Sequence, residues 1–142
     1  MMSSSDSSIL ALDVGGRRIG VASANVVARM AHPLTTVENN ADILPVLQKI
    51  LKEERAVGLV VGLPRSLNGE DTDQTRTIRT FVIALKEAIA LPMYWQDEAV
   101  TSKKAEEELQ GRGKPFAKGD IDALAATYIL EDFLQEHPEV GI

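Results

Sequence analysis

Cysteine is absent from the 142-residue chain, which excludes a disulfide framework, a thiolate-bound metal and a cysteine nucleophile together. Histidine occurs only as His32 and His137, and with no cysteine beside it that argues against a structural zinc site. Long apolar runs are also missing. Nothing approaches the roughly 20 residues that a bilayer requires, and Met1 to Ser8 has neither the basic start nor the apolar centre of a signal peptide. These absences lead us to expect a soluble, cytoplasmic chain with no membrane partner. An excess of positive charge is lacking too. With 21 acidic and 15 basic residues the net charge is -6, so the surface as a whole carries no electrostatic footprint for nucleic acid, and any phosphate-binding surface has to be a local patch.

What is present suffices for one domain, with 44% apolar residues to build a single core. Residues 1–7, rich in serine, are expected to be a disordered tail, and 8–142 a single domain. Ile9-Leu10-Ala11-Leu12 is a short apolar run closed by Asp13 and Gly15-Gly16, which predicts a strand buried on both faces and ending in a tight turn. Ile19 to Ala24 and Met30 to Val37 follow too closely for a parallel crossover, so the three strands should form an antiparallel meander. The period then changes. Asn39 or Asn40 is expected to cap a helix over Asp42 to Glu54, with Pro45 near its first turn. Leu59-Val60-Val61 reads as a buried strand, Arg65 to Asp73 as a loop containing the turn pair Asn68-Gly69, and Ile78, Val82, Leu85 and Ile89 as a helical stripe. Met93-Tyr94-Trp95 leads into Gln96-Asp97-Glu98 as a strand ending in acids. A charged helix to Gln110, a loop from Gly111 to Gly119, and a last helix capped by Asp120 complete the order β-β-β-α-β-α-β-α. That order predicts an α/β, ribonuclease H-like architecture with a five-stranded mixed sheet flanked by helices.

Parallel strands direct their carboxyl ends toward a shared crevice, and Glu98 lies at such an end. Asp13 closes the first strand, which is central in this arrangement. Asp122 lies in the first turn of the last helix, where Ala125 and Ala126 let that helix press onto the sheet. Three carboxylates in one pocket need a cation to offset them. Hard divalent ions such as Mg²⁺ meet that need, and two of them can clamp the attacking water and leaving oxygen of a phosphodiester. The expectation is therefore metal-dependent phosphodiester hydrolysis by Asp13, Glu98 and Asp122. Taken singly, each acid has a plainer role: Asp13 in a turn, Glu98 as a solvated acid, Asp122 favoured by the helix dipole. Their joint placement carries the functional reading.

At these residues the chain resembles the YqgF (RuvX) family of Holliday junction resolvases and pre-16S rRNA nucleases. The likeness rests on Leu12-Asp13-Val14-Gly15 with Arg17-Arg18-Ile19-Gly20-Val21-Ala22; on Val60-Val61-Gly62-Leu63-Pro64 with Asn68-Gly69; on Asp97-Glu98 with Val100-Thr101; and on Lys118-Gly119 with Ile121-Asp122. The resemblance implies a ribonuclease H-like fold, Mg²⁺ or Mn²⁺ dependence, and Asp13, Glu98 and Asp122 as catalytic acids and metal ligands. Two positions depart from the family. Ala99 stands where an arginine usually follows the glutamate, and Gly16 where a polar residue such as threonine is usual.

A nucleic-acid substrate, whether structured RNA or branched DNA, also needs cations. Arg17 and Arg18 after the first strand, Arg65 after the fourth, and Arg112, Lys114 and Lys118 before the last helix are the candidates. Maturation of the 5′ end of pre-16S rRNA is the expected role, with junction resolution in recombination and repair as the alternative; monomer and homodimer both stay open. Two other classes compete. An ATP-binding module of the sugar-kinase and actin type uses a similar Asp-x-Gly hairpin but needs two such domains, more than 142 residues hold. A non-catalytic nucleic-acid-binding scaffold would keep the fold with a weak site.

Overall fold

The computed structural model describes residues 6–64, 72–98, 101–114 and 117–140, without the side chains of 98 and 101–104. Arg65, Asn68, Gly69 and Ala99 lie outside the described residues. The order is β1 (Ser8–Val14), β2 (Arg18–Asn25), β3 (His32–Glu38), α1 (Ile43–Glu53), β4 (Ala56–Pro64), α2 (Asp73–Ala88), β5 (Met93–Glu98), α3 (Thr101–Gly111) and α4 (Lys118–Glu136). The strands form one sheet in the order β3-β2-β1-β4-β5. β1, β2 and β3 pair antiparallel, while β1, β4 and β5 run parallel. The meander and the mixed sheet thus arise as the short connections and intervening helices require.

Alternation along β1 divides the core. Leu10, Leu12 and Val14 join Leu59, Val61 and Leu63 of β4 against Leu47 of α1 and Ile78, Val82 and Leu85 of α2. Ile9 and Ala11 face the other way, with Ala22, Ala24 and Val60, against Ala126, Ile129, Leu130 and Phe133 of α4. β1 is therefore apolar on both sides, as expected of a strand covered by two layers. The alanines on this second face leave room for α4 to lie close to the sheet. α3 packs outside α4 through Ala105 and Leu109 on Leu124, Ala125 and Tyr128, so the middle of α4 is buried on two sides. Among the described residues no helix is long and apolar enough to cross a membrane.

Two helix starts differ from the sequence expectation. α1 is preceded by Asp42 rather than capped by Asn39 or Asn40: Asn40 accepts the Asp42 amide at 2.9 Å, and Asn39 is used elsewhere. Pro45 is the third helical residue, where no intrahelical amide bond is lost. α4 begins at Lys118, two residues before Asp120. Asp120 still serves the helix start, because its carboxylate accepts the Ala117 amide at 2.9 Å, but it does so from inside the first turn. At the far end Arg29, held at φ 54°, donates to the carbonyls of Leu134, His137 and Val140 and so satisfies the last turn of α4 from the β2–β3 connection.

Candidate active site

The carboxyl ends of the parallel strands β1, β4 and β5 lie at one end of the sheet, and the start of α4 packs over the neighbouring strands at Gly20 of β2 and Thr36 of β3. With the helix beginning at Lys118, Asp122 is its fifth residue, one turn further in than the sequence suggests. Asp13 is the sixth residue of β1 and pairs across the ladder with Gly20 of β2. Directly paired residues share a sheet face, and the alternation that sends Ile9 and Ala11 to α4 sends Asp13 there as well. Gly20 is where the helix comes closest. A β-carbon there would overlap the carbonyl of Asp122 and sit 2.8 Å from the Ala123 amide nitrogen. Only a residue without a side chain permits that approach. Asp13 and Asp122 thus flank the same glycine, one across the strand pair and one above it, although 109 positions separate them in the chain (122 − 13).

The surrounding backbone is braced. The Gly15 amide donates to the Arg18 carbonyl at 2.9 Å, closing the β1–β2 turn. Asn39 ties that turn to the end of β3, with its amide on the Arg17 carbonyl at 2.8 Å and its side-chain nitrogen on the Gly15 carbonyl at 2.8 Å. Thr36 of β3 donates to the Gly119 carbonyl at 2.5 Å and fixes the α4 start from the other side. Both acids therefore sit on held backbone. Glu98 ends β5 in register with Pro64; its side chain lies outside the described residues. Among the described residues no group of three carboxylate or imidazole side chains could hold a metal ion.

The expected cations separate into different places. Arg18 does not face outward alone: its Nε donates to Asp122 Oδ2 at 2.6 Å. Arg17 is exposed in the turn beside it. Arg112 pairs with Glu108 at 3.2 Å, and together with Lys114 lines a cleft of about 250 Å³ floored by Leu109, Ala123 and Leu124. Lys118 is the exposed first residue of α4. Of the two aromatic residues on β5, Tyr94 packs on Phe133 at 5.1 Å, whereas Trp95 is 37% exposed beneath Arg79. Two contributors escaped the sequence reading. Gly20 interrupts an apolar strand, a pattern that signals close backbone approach. Asn39, read as a helix cap, has no sequence feature that announces its long-range role.

The RuvX family profile, described as Holliday junction resolvase, matches residues 7–136. The chain belongs to the RuvX family. A relative named "Putative pre-16S rRNA nuclease" from Chloroflexus aurantiacus is 43% identical over 133 residues, covering 91% of this chain and 87% of that protein. One of the same name from Rickettsia rickettsii is 34% identical over 130 residues, covering 89% and 84%. Both family descriptions denote nucleases, so this RuvX chain carries the fold and ancestry of phosphodiester-cleaving enzymes. Among solved structures, Thermus thermophilus RuvC in complex with Holliday junction substrate superposes with a TM-score of 0.55 at 18% identity, covering 91% of this chain and 94% of that one. The Fowlpox virus resolvase superposes at 0.54 with 10% identity, covering 93% and 99%. At such identities the likeness concerns the fold, which is ribonuclease H-like.

Proposed function

We propose that this chain hydrolyses phosphodiester bonds in structured nucleic acid using divalent cations, Mg²⁺ or Mn²⁺, held by Asp13, Asp122 and Glu98. The observation that carries the reading is the convergence of Asp13 and Asp122 on Gly20. The donor set fits such ions: carboxylate oxygens on braced backbone, with no thiolate in the chain, suit hard cations that keep part of their water shell. A guanidinium already stands against Asp122, evidence that this carboxylate attracts positive charge. Glu98 is the third ligand in this proposal because it ends β5, in register with the end of β4, in the same sheet as Asp13.

Such ions, when bound, supply an activated water and stabilise charge on the phosphate. The protein's part is to hold the carboxylates, offer cations to flanking phosphates and keep the backbone still. Arg17 lies in the turn between β1 and β2, and Lys118 at the start of the helix that carries Asp122; in this reading both contact a strand entering the site. Arg112 and Lys114 would extend that contact along the α3–α4 cleft; Arg65, the remaining candidate from the sequence, lies outside the described residues. The names of the relatives at up to 43% identity favour pre-16S rRNA as the substrate. The family description and the resolvase likeness favour a DNA junction as the second reading.

A cleavage assay on a pre-16S 5′-end RNA and a four-way DNA junction, with and without Mg²⁺, tests both. Cleavage of either, lost with chelator and reduced about a thousandfold or more in Asp13→Asn and Glu98→Gln, supports the proposal, since such groups stabilise a transition state by several kcal/mol. Binding without cleavage at any metal concentration would point to a scaffold instead.

A further inference from the structure

Among the described residues Arg18 is the one expected substrate cation bound to an expected metal ligand. Its Nε lies 2.6 Å from Asp122 Oδ2, and the two side chains are 36% and 21% exposed. Among the described residues each is the other's only side-chain partner. The pair joins β2 to α4 across 104 residues, and Arg18 lies two positions from Gly20, the residue that pairs with Asp13 and lies under the Asp122 backbone. A carboxylate facing a second acid is favoured by a cation beside it, and in the metal-free protein Arg18 is the cation held by Asp122. An ion pair exposed to this extent is weak and screened, so it can be exchanged.

We propose that Arg18 is an exchangeable counter-ion, which neutralises Asp122 in the metal-free protein and turns to a substrate phosphate when Asp122 changes partner to a divalent cation. The inference rests on the metal-site reading above. A guanidinium stays charged at any relevant pH, so Arg18 released from Asp122 carries its whole charge to the next anion, and its planar donor fork suits phosphate oxygens. The arrangement also couples the two ligands. Nucleic acid that draws Arg18 away frees a carboxylate oxygen for metal, and metal on Asp122 frees Arg18 for nucleic acid; by linkage each tightens the other equally.

The test is a Mn²⁺ titration of the full chain, read by calorimetry and by the electron paramagnetic resonance of free Mn²⁺. Arg18→Gln should bind Mn²⁺ at least about 5-fold more tightly than the parent, in the usual range of site-to-site coupling. Arg18→Lys, which keeps the charge, should stay near the parent. In the unaltered protein the Arg18 Nε–H nuclear magnetic resonance signal should shift as Mg²⁺ is added, which needs no variant to fold. Equal or weaker Mn²⁺ binding by a folded Arg18→Gln, or an Nε–H signal indifferent to saturating Mg²⁺, would overturn the proposal if Asp122→Asn has lost metal binding. If Asp13→Asn and Asp122→Asn both bind Mn²⁺ as the parent does, the metal site itself is wrong and the exchange falls with it.

Discussion

Gly20→Ala adds one methyl group at the point where α4 meets β2, and its consequences follow from the contacts there. The new carbon would overlap the Asp122 carbonyl and stand 2.8 Å from the Ala123 nitrogen. Backbone atoms on a helix braced by Thr36 and buried along Ala126, Ile129 and Phe133 cannot swing aside as a flexible side chain would. The start of α4 around Asp122 must therefore back away by on the order of 1 Å, and overpacking of this kind costs about 1–3 kcal/mol. For a chain of this size that lowers the melting temperature by roughly 3 to 12 °C. Because the displaced residue is Asp122, a shift of this size should also reduce cleavage by about 100-fold. Gly16→Ala is the matched control: a β-carbon there meets nothing within 4 Å, so its stability should change by less than about 1 kcal/mol. Thermal unfolding and a cleavage rate on the two variants decide the matter. A Gly20→Ala protein as stable and as active as the Gly16→Ala protein would refute the claim that this glycine sets the position of Asp122.

Asp122→Asn should abolish cleavage yet lower stability by no more than about 1 kcal/mol, the range for a screened, partly exposed ion pair; urea unfolding checks the second part. Arg29→Ala should do the reverse. Losing charge-assisted bonds to the carbonyls of Leu134, His137 and Val140 should cost about 1–2 kcal/mol, with cleavage unchanged where the protein is folded, as a melt paired with a rate measurement will show. Replacing Arg112 and Lys114 together with Ala should weaken nucleic-acid binding and make the slope of log affinity against log salt shallower by up to about 2; an unchanged slope would remove the α3–α4 cleft from the substrate path.

The fold was legible because its instructions are local. Apolar runs of strand length, short early connections and helical stripes such as Ile78-Val82-Leu85 each name an element, and handedness and connection rules leave few ways to join them. Helix ends were less legible, since Asn39 has the chemistry of a cap but is used to hold Gly15, and sequence cannot say which backbone groups a polar side chain will reach. The proposed acids were read from their places at strand and helix ends, and the structure brings two of them, Asp13 and Asp122, to Gly20. The Arg18–Asp122 pair was not, because a contact between residues 104 positions apart leaves no trace in local spacing. Arg18 read as a substrate cation because it is a fixed positive charge just after β1, and the same charge pairs with Asp122.

Crystals grown or soaked with Mn²⁺ and measured for anomalous scattering test the central claim most directly. The account predicts an anomalous peak bound by carboxylate oxygens of Asp13 and Asp122 at about 2.0–2.2 Å, with Arg18 turned off Asp122. A well-ordered Asp13 and Asp122 with no peak between them at millimolar Mn²⁺, or a peak held only by other residues, would contradict it.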